Sequence, residues 1–290
     1  MIQAVTVGLS GGLGNQMFQY AAGRSLAIRL GAPLRLDNTW FLCRKARSYA
    51  LGNFAVQATI QSCELPVPDV LKSLESRLVR KWGATRMGVP IFREPHFHFC
   101  PAFAELESPV YLEGYWQSER YFESCRDQIA SDFTLREKVP EKCLDILRTI
   151  SSTDSICIHI RRGDYVSDPA TARVHEICSP DYYRRGVALA ASGEADPHGF
   201  VFSDDPDWAR RHFSAPFPTT IVDLNGPHEA HWDLHLMSAC RHFVIANSSL
   251  SWWAAWLGRS PEKRVVAPQS WFKTPGRTIA DLIPGGWVQV

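Results

Sequence analysis

The chain predicts an α/β protein of two lobes, the second a doubly wound parallel sheet, and three observations carry that prediction. A strand, a glycine turn and a long helix open the chain and lead into a second strand, which is a βαβ unit. From about residue 151 onward, apolar strand-length runs alternate with helix-length segments, the pattern of a parallel sheet covered on both faces. The length of 290 residues is long for one core and suits two domains of roughly 100–200 residues. A boundary in the polar stretch Ser151-Ser152-Thr153-Asp154-Ser155 gives domains of 1–150 and 151–290.

In the first half, the expected strand runs from Ala4 to Leu9. The turn Ser10-Gly11-Gly12-Leu13-Gly14 follows, then a helix from about Asn15 to Leu30 with Gly31 as its stop. Phe18, Ala21, Ala22, Leu26 and Ile28 give that helix a buried side, and Pro33 to Asp37 forms the next strand. Six prolines between Pro66 and Pro109 break up residues 38–110, where helices such as Val70 to Lys81 and long loops are expected. Val110 to Phe122 predicts a short strand, then Gly114, then an aromatic turn entering a helix. Exposed Tyr115 and Trp116 there would suit sugar stacking or a contact between lobes. A helix near Glu141 to Ile150 closes the half.

In the second half, Ile156 to Ile160 predicts a buried parallel strand. Helix and strand then alternate: a helix near Pro180 to Ser192, strand Gly199 to Ser203, helix Pro206 to Phe213, and strand Thr219 to Asp223. Next come helix His231 to Ala239, strand Phe243 to Ala246, helix Ser249 to Leu257, and strand Arg264 to Ala267.

The 31 basic and 30 acidic side chains give a formal net charge of +1, which argues against a nucleic-acid partner. No apolar run reaches the roughly 18–20 residues that span a bilayer, so no transmembrane segment is expected. Met1 is followed by a strand-like segment without a basic leader, so a cytoplasmic location is expected. The eight cysteines are widely spaced without a C-x-x-C, which favours reduced thiols. His96 and His98 form an H-x-H pair without a third ligand close in sequence, and no metal site is expected.

Four motifs lie at strand ends of the second half, where an open α/β sheet binds its ligands. The run SICIHIRRGDYV, Ser155 to Val166, ends a buried strand in Arg161 and Arg162, whose guanidinium forks suit a phosphate. His159 shares a strand side with Arg161, and Asp164 would orient an arginine. In Ser203-Asp204-Asp205-Pro206, Asp205 is a helix cap and Asp204 stays available for the N–H edge of a guanine. Asn247, Ser248, Ser249 and Ser251 join a strand to a helix N-terminus, a phosphate site that needs no lysine, with N-capping by Ser248 as the competing explanation. Glu229 and Asp233 stand four apart as acid/base groups or as N-terminal helix charges. Gly12-x-Gly14 opens a helix, but Met17 stands where a dinucleotide fingerprint has its third glycine, which counts against a nicotinamide-dependent oxidoreductase.

Five blocks together resemble the glycosyltransferase family 11 α-1,2-fucosyltransferases: GGLGNQMFQYA (Gly11 to Ala21), EGYWQSERYF (Glu113 to Phe122), HIRRGDYV (His159 to Val166), SDD (Ser203 to Asp205) and LMSACRHFVIANSSLSWWAAWL (Leu236 to Leu257). The resemblance implies a GT-B fold, two facing Rossmann-like doubly wound domains, with GDP-fucose on the C-terminal one and the acceptor mainly on the N-terminal one. It implies inverting transfer of L-fucose from GDP-β-L-fucose to the 2-hydroxyl of a terminal β-galactoside, with no cofactor and no divalent metal. Under it, Arg161 holds the β-phosphate with Arg162 and Asp164 in support. Ser248, Ser249 and Ser251 cradle the phosphates, His159 lies near the nucleotide, and Asp204 or Asp205 reads guanine. Asn15 faces the sugar, and Asp164, Glu229, Asp233 and Glu113 are candidates for the base. The alternatives are a non-catalytic carbohydrate-binding protein and a fucosyltransferase of different linkage. The natural acceptor, the oligomeric state and peripheral contact with a membrane through a lipid-linked acceptor stay open.

Overall fold

The computed structural model describes residues 3–43, 47–61, 85–86, 88–226, 228–273 and 278–290. The expected helix Val70 to Lys81 lies outside them. The chain divides into two compact units, Met1–Arg136 and Glu137–Val290.

The first unit holds a six-stranded sheet: β1 (Val5–Gly8), β2 (Leu34–Asp37), β3 (Thr59–Gln61), β4 (Thr85–Arg86), β5 (Val89–Arg93) and β6 (Val110–Glu113). Its order is β3-β2-β1-β6-β5-β4, parallel throughout except for the β4–β5 hairpin. The βαβ opening is present, with the helix Leu13–Leu30 ending on Gly31 at φ 58°, a left-handed cap that glycine takes without a Cβ clash. That helix is buried on nearly all sides, so its expected one-sided stripe is wrong in detail, and Ile28 is 41% exposed. Gly23 lets it lie against the sheet, because a Cβ there would overlap Val7. Its buried Gln16 and Gln19 spend their amides on loops: Gln16 bonds Gly11, Ser48 and Ala50, and Gln19 bonds Ser10 and Gly114.

Residues 38–110 hold β3, β4 and β5 rather than only helices and loops. These strands lie at or near the sheet's two edges and lack an apolar alternation. Pro90 sits inside β5, opposite Thr85 of the short β4, where a missing N–H is tolerated.

The second unit holds a parallel sheet of β7 (Asp154–Ile160), β8 (Pro197–Ser203), β9 (Thr219–Val222), β10 (His242–Val244), β11 (Val265–Ala267) and β12 (Val288–Gln289), ordered β12-β11-β10-β7-β8-β9. The predicted alternation is met nearly element for element, with connecting helices Pro180–Ala190, Pro206–His212, Ala230–Ser238 and Ser249–Leu257. Two short helices, Gly163–Ser167 and Pro169–Val174, were not expected. The helix Glu141–Ser152 packs on β7 and on Ala230–Ser238, so the division between units falls before it rather than after residue 150.

Ile156, Ile158, Ile160, Val201, Val244 and Val266 form the core with Tyr182, Tyr183 and Val187 of the helix Pro180–Ala190. Each such aliphatic side chain contributes about 1.5–3 kcal/mol on burial. At the amino end of the sheet, Glu194 pairs with Arg264, His242 (3.0 Å) and Arg241 (3.5 Å). Trp252, Trp253 and Trp256 are all buried, the helix-face packing that their spacing predicts.

Candidate functional site

In the second sheet the chain moves outward from β7 through β8 to β9, then crosses back to β10 on the other side of β7. The direction of winding therefore reverses between β7 and β10. Ligands of open α/β sheets bind beyond the carboxyl ends of strands at such a reversal. Arg161 follows β7 directly, and Asn247 lies three residues past β10. Two of the motifs singled out in the sequence thus flank one crevice. Tyr165 ties them together, donating its hydroxyl to the Asn247 carbonyl at 2.9 Å.

The arginines are held by carboxylates. Arg161 donates from Nη2 to Asp164 Oδ1 (2.5 Å) and forms an ion pair through Nη1 with Asp204 Oδ2 (2.9 Å), contacts that use part of its set of five N–H donors. Burial opposes its charge, but Asp204 and Asp164 outweigh this and hold its pKa above the ordinary value. The guanidinium also faces the Tyr165 ring, 5.4 Å from its centroid. Arg162 turns away: its guanidinium lies 4.0 Å from the centroid of Trp208 and pairs with Asp205 at 3.4 Å.

Asp204 is the platform of this turn. Its Oδ1 accepts the Arg162 amide at 2.8 Å while its Oδ2 meets Arg161. A Cβ on Gly163 would overlap Asp204 Oδ2, so only glycine lets the turn close on the carboxylate. Asp205 caps the helix Pro206–His212 by accepting the Trp208 amide at 3.1 Å, and Asp207 pairs with Arg210 at 2.8 Å. Capping therefore accounts for Asp205, and an ion pair for Asp207. Both Asp204 and Asp205 are engaged within the turn instead of presenting free carboxylates to a guanine edge.

His159 is 4% exposed, and its Nδ1 has no hydrogen-bond partner. Burial pulls its pKa down to about 4, which keeps the ring neutral near pH 7. Its carbonyl accepts the Tyr183 hydroxyl at 3.0 Å.

On the β10 side, Asn247 is a brace. Its side-chain amide donates to the carbonyls of Glu176 (2.6 Å) and Trp271 (3.0 Å), fixing two loops around the strand end. Ser251 is buried and donates back to Ser248 (3.2 Å) and Ala246 (3.4 Å). Ser248 is the N-cap of Ser249–Leu257 but makes no side-chain capping bond, so the competing capping explanation fails. The half-buried hydroxyls of Ser248 and Ser249 stand at the positive end of that helix. A helix N-terminus after one strand and a clamped arginine after its neighbour suit an anion bearing more than one charge.

The base candidates separate. Glu113 pairs with Arg93 (3.0 Å). Asp164 is taken by Arg161. Glu229 accepts the Gly226 amide and Lys142, which hold its pKa below the ordinary value. Asp233 accepts a neutral partner, Asn225 Nδ2, at 2.7 Å, and burial lifts its carboxyl to about 6. Among the described residues no group of three or more His, Cys, Asp and Glu side chains is arranged to hold a metal ion. The H-x-H rings stack at 3.5 Å, and His96 Nδ1 faces the His98 carbonyl.

In the first unit the carboxyl ends of the parallel neighbours β1 and β6 frame one seam. The glycine turn lies at one side of it and the loop after Glu113 at the other. Gly11 adopts φ +77°, and Asn15 Oδ1 accepts from Gln117 Nε2 at 2.8 Å, joining the two. Tyr115 is 47% exposed, whereas Trp116 is fully buried, so the expectation of an exposed Trp116 is corrected. Phe92, Phe103 and Tyr121 enclose its ring. A turn of 3-10 helix, Glu119–Tyr121, replaces the helix expected there.

Sequence reasoning missed Tyr165, Trp208 and Glu94. The first two lie one and three residues beyond motif aspartates, a spacing that could have flagged them; Glu94 carried no signal.

The family model described as Glycosyl transferase family 11 matches residues 93–288. The chain belongs to that family. An Escherichia coli protein named alpha-1,2-colitosyltransferase is 29% identical, aligned over 99% of this chain and 98% of its own length. Galactoside alpha-(1,2)-fucosyltransferase 1 of Aotus azarae is 26% identical over 87% of this chain and 64% of its own. Among solved structures, a mutant of Arabidopsis thaliana FUT1 in complex with GDP matches with a TM-score of 0.51 at 11% identity, covering 91% of this chain and 70% of that one. The fold is accordingly GT-B, and the resemblance read from the five sequence blocks holds at the level of family and fold. No helix among the described residues is long and apolar enough to cross a membrane.

Proposed function

We propose that the protein is an inverting, metal-independent transferase that moves L-fucose from GDP-β-L-fucose to the 2-hydroxyl of a terminal β-galactoside. The observation that carries this reading is the convergence of the HIRRGD and NSS motifs on one winding reversal of the second unit, in a chain of glycosyl transferase family 11. The α-1,2 linkage is supported by both relatives above, each named for that linkage.

In this reading the donor diphosphate lies between Arg161 and the N-terminus of Ser249–Leu257. As the bond to the sugar breaks, negative charge grows on the departing GDP. Preorganised donors aimed at that charge supply the largest electrostatic stabilisation. Asp164 and Asp204 serve by holding Arg161, and Asp205 and Trp208 by holding Arg162. Neutral His159 borders the site. Acceptor binding falls to the strand ends of the first unit, where Asn15, Gln117 and Tyr115 lie. A second reading, transfer of colitose in place of fucose, is favoured by the E. coli relative that aligns end to end.

Incubation with GDP-fucose, or with GDP-linked colitose, and lactose in EDTA tests both. Transfer of fucose is expected, giving an α-1,2 linkage by NMR. Activity that vanishes with EDTA removes the metal-free mechanism, and transfer from GDP-colitose alone selects the second reading. A saccharide-induced thermal shift without one from GDP would favour a carbohydrate-binding protein.

A further inference from the structure

Glu94 follows β5 and lies beside the end of β6, its backbone amide donating to the Glu113 carbonyl at 2.9 Å. Its two carboxylate oxygens are both turned onto the next loop. Oε2 accepts the Tyr115 amide at 2.7 Å, and Oε1 accepts the Trp116 amide at 3.0 Å. A Cβ on Gly114 would stand 2.5 Å from Glu94 Cβ, so the loop is pressed onto this side chain.

What the clamp holds is an uncommon conformation. Trp116 has φ 57°, in the left-handed region, the only non-glycine residue recorded there among the described residues. For an L-residue this costs about 1–2 kcal/mol. Its indole is fully buried, yet Nε1 has no hydrogen-bond partner. A strained backbone and an unsatisfied indole persist only where the surroundings over-determine them. Two carboxylate–amide bonds and the aromatic enclosure do so here. The outcome is that Tyr115 is turned outward, two residues before Gln117, whose amide is bonded to Asn15.

We propose that Glu94 is a positioning residue for the acceptor saccharide: by clamping the Tyr115 and Trp116 amides it presents the Tyr115 ring as the surface on which the sugar stacks. The inference rests on the transferase reading for its substrate, while the clamp itself is a feature of the loop.

The clamp is sensitive to pH. Burial lifts the Glu94 carboxyl to about 7, opposed by the two amides and by His96. The other charged groups near it are Arg93 and Glu113, paired with each other on the adjoining strand ends, and His98 stacks on His96. Within the loop itself the titratable side chains are Tyr115, Glu119, Arg120 and Tyr121, with Glu119 paired to Arg126 at 3.4 Å. Protonation places an O–H where an amide N–H needs an acceptor. The acceptor KM therefore rises as pH falls from 8 to 6.

Glu94→Gln replaces one acceptor oxygen by an NH2 facing an amide N–H. The acceptor KM is expected to rise about tenfold at pH 8, matching the loss of one buried hydrogen bond. In contrast, kcat should change less than about threefold, GDP affinity should hold, and the pH dependence of KM should flatten. Glu94→Asp keeps the charge and is expected to give an intermediate KM that still varies with pH. An acceptor KM within twofold of the parent in both variants overturns the proposal. So does a parallel loss of GDP affinity, which would mark Glu94 as merely structural. Amide exchange at Tyr115 and Trp116 reads the clamp without turnover and should accelerate in Glu94→Gln. An inactive parent with such acceleration refutes the transferase reading while the clamp stands, and unchanged exchange refutes the clamp.

Discussion

Arg161→Ala is expected to lower sugar transfer by about 10²–10³-fold, the cost of removing one preorganised donor to developing negative charge. The loss should appear in kcat as well as in GDP affinity, because charge on the leaving diphosphate grows as the reaction proceeds. Arg161→Lys should recover only a small part. One ammonium cannot span Asp164 and Asp204 and still offer a fork to a phosphate. Arg162→Ala should be milder, since that guanidinium is stacked on Trp208 and directed at Asp205. Steady-state kinetics alongside far-UV circular dichroism checks the ranking. Near-normal turnover of a folded Arg161→Ala protein would show that the phosphate assignment is misplaced.

Gly163→Ala is the second large effect, and it acts without removing any functional group. The added methyl would overlap Asp204 Oδ2 and lie 2.9 Å from its Cγ. Either the turn opens or Asp204 is driven off, and in both cases Arg161 and the Arg162 amide lose a shared partner. Geometry displaced by about an ångström commonly costs on the order of 10²-fold in rate. The expected outcome is a fall of that order in kcat/KM for the donor, with the acceptor KM little changed. Equal loss for donor and acceptor would mean that the turn supports the fold as a whole. Full activity would mean that Asp204 has no part in holding Arg161.

The second unit was legible because its strands are buried on both faces and so spell near-continuous apolar runs, as in Ile156 to Ile160 and Phe243 to Ala246. Its helix starts carry local signals that need no tertiary knowledge: Ser179 caps Tyr182 ahead of Pro180, and Asp205 caps Trp208 ahead of Pro206. The strand-end location of Arg161 and of the serine turn followed from these boundaries. The order of the strands did not, and that order is what brings the two motifs to one winding reversal.

The first unit was less legible for equally physical reasons. β3 is exposed and polar, and β5 contains Pro90, so neither has the alternation that marks a strand. Trp116 looked like a surface aromatic beside Gln117, yet its left-handed backbone turns the ring inward among Phe92, Phe103 and Tyr121. Long-range partnerships were out of reach altogether. Asp204 meets the Arg162 amide across 42 positions, and Glu94 meets Tyr115 across 21. Spacing could suggest that Asp204 was free for a base edge, but only the fold reveals that its oxygens are already engaged.

In the proposed function a GDP-linked donor is held by the Arg161 turn and the Ser248–Ser251 turn of the second unit. Amide hydrogen exchange with and without GDP tests it most directly. Protection of peptides covering residues 161–166 and 247–252, with the Ser10–Asn15 turn unchanged, is the predicted result. Protection confined to the Ser10–Asn15 turn, or none in either serine or arginine segment at saturating GDP, would contradict it.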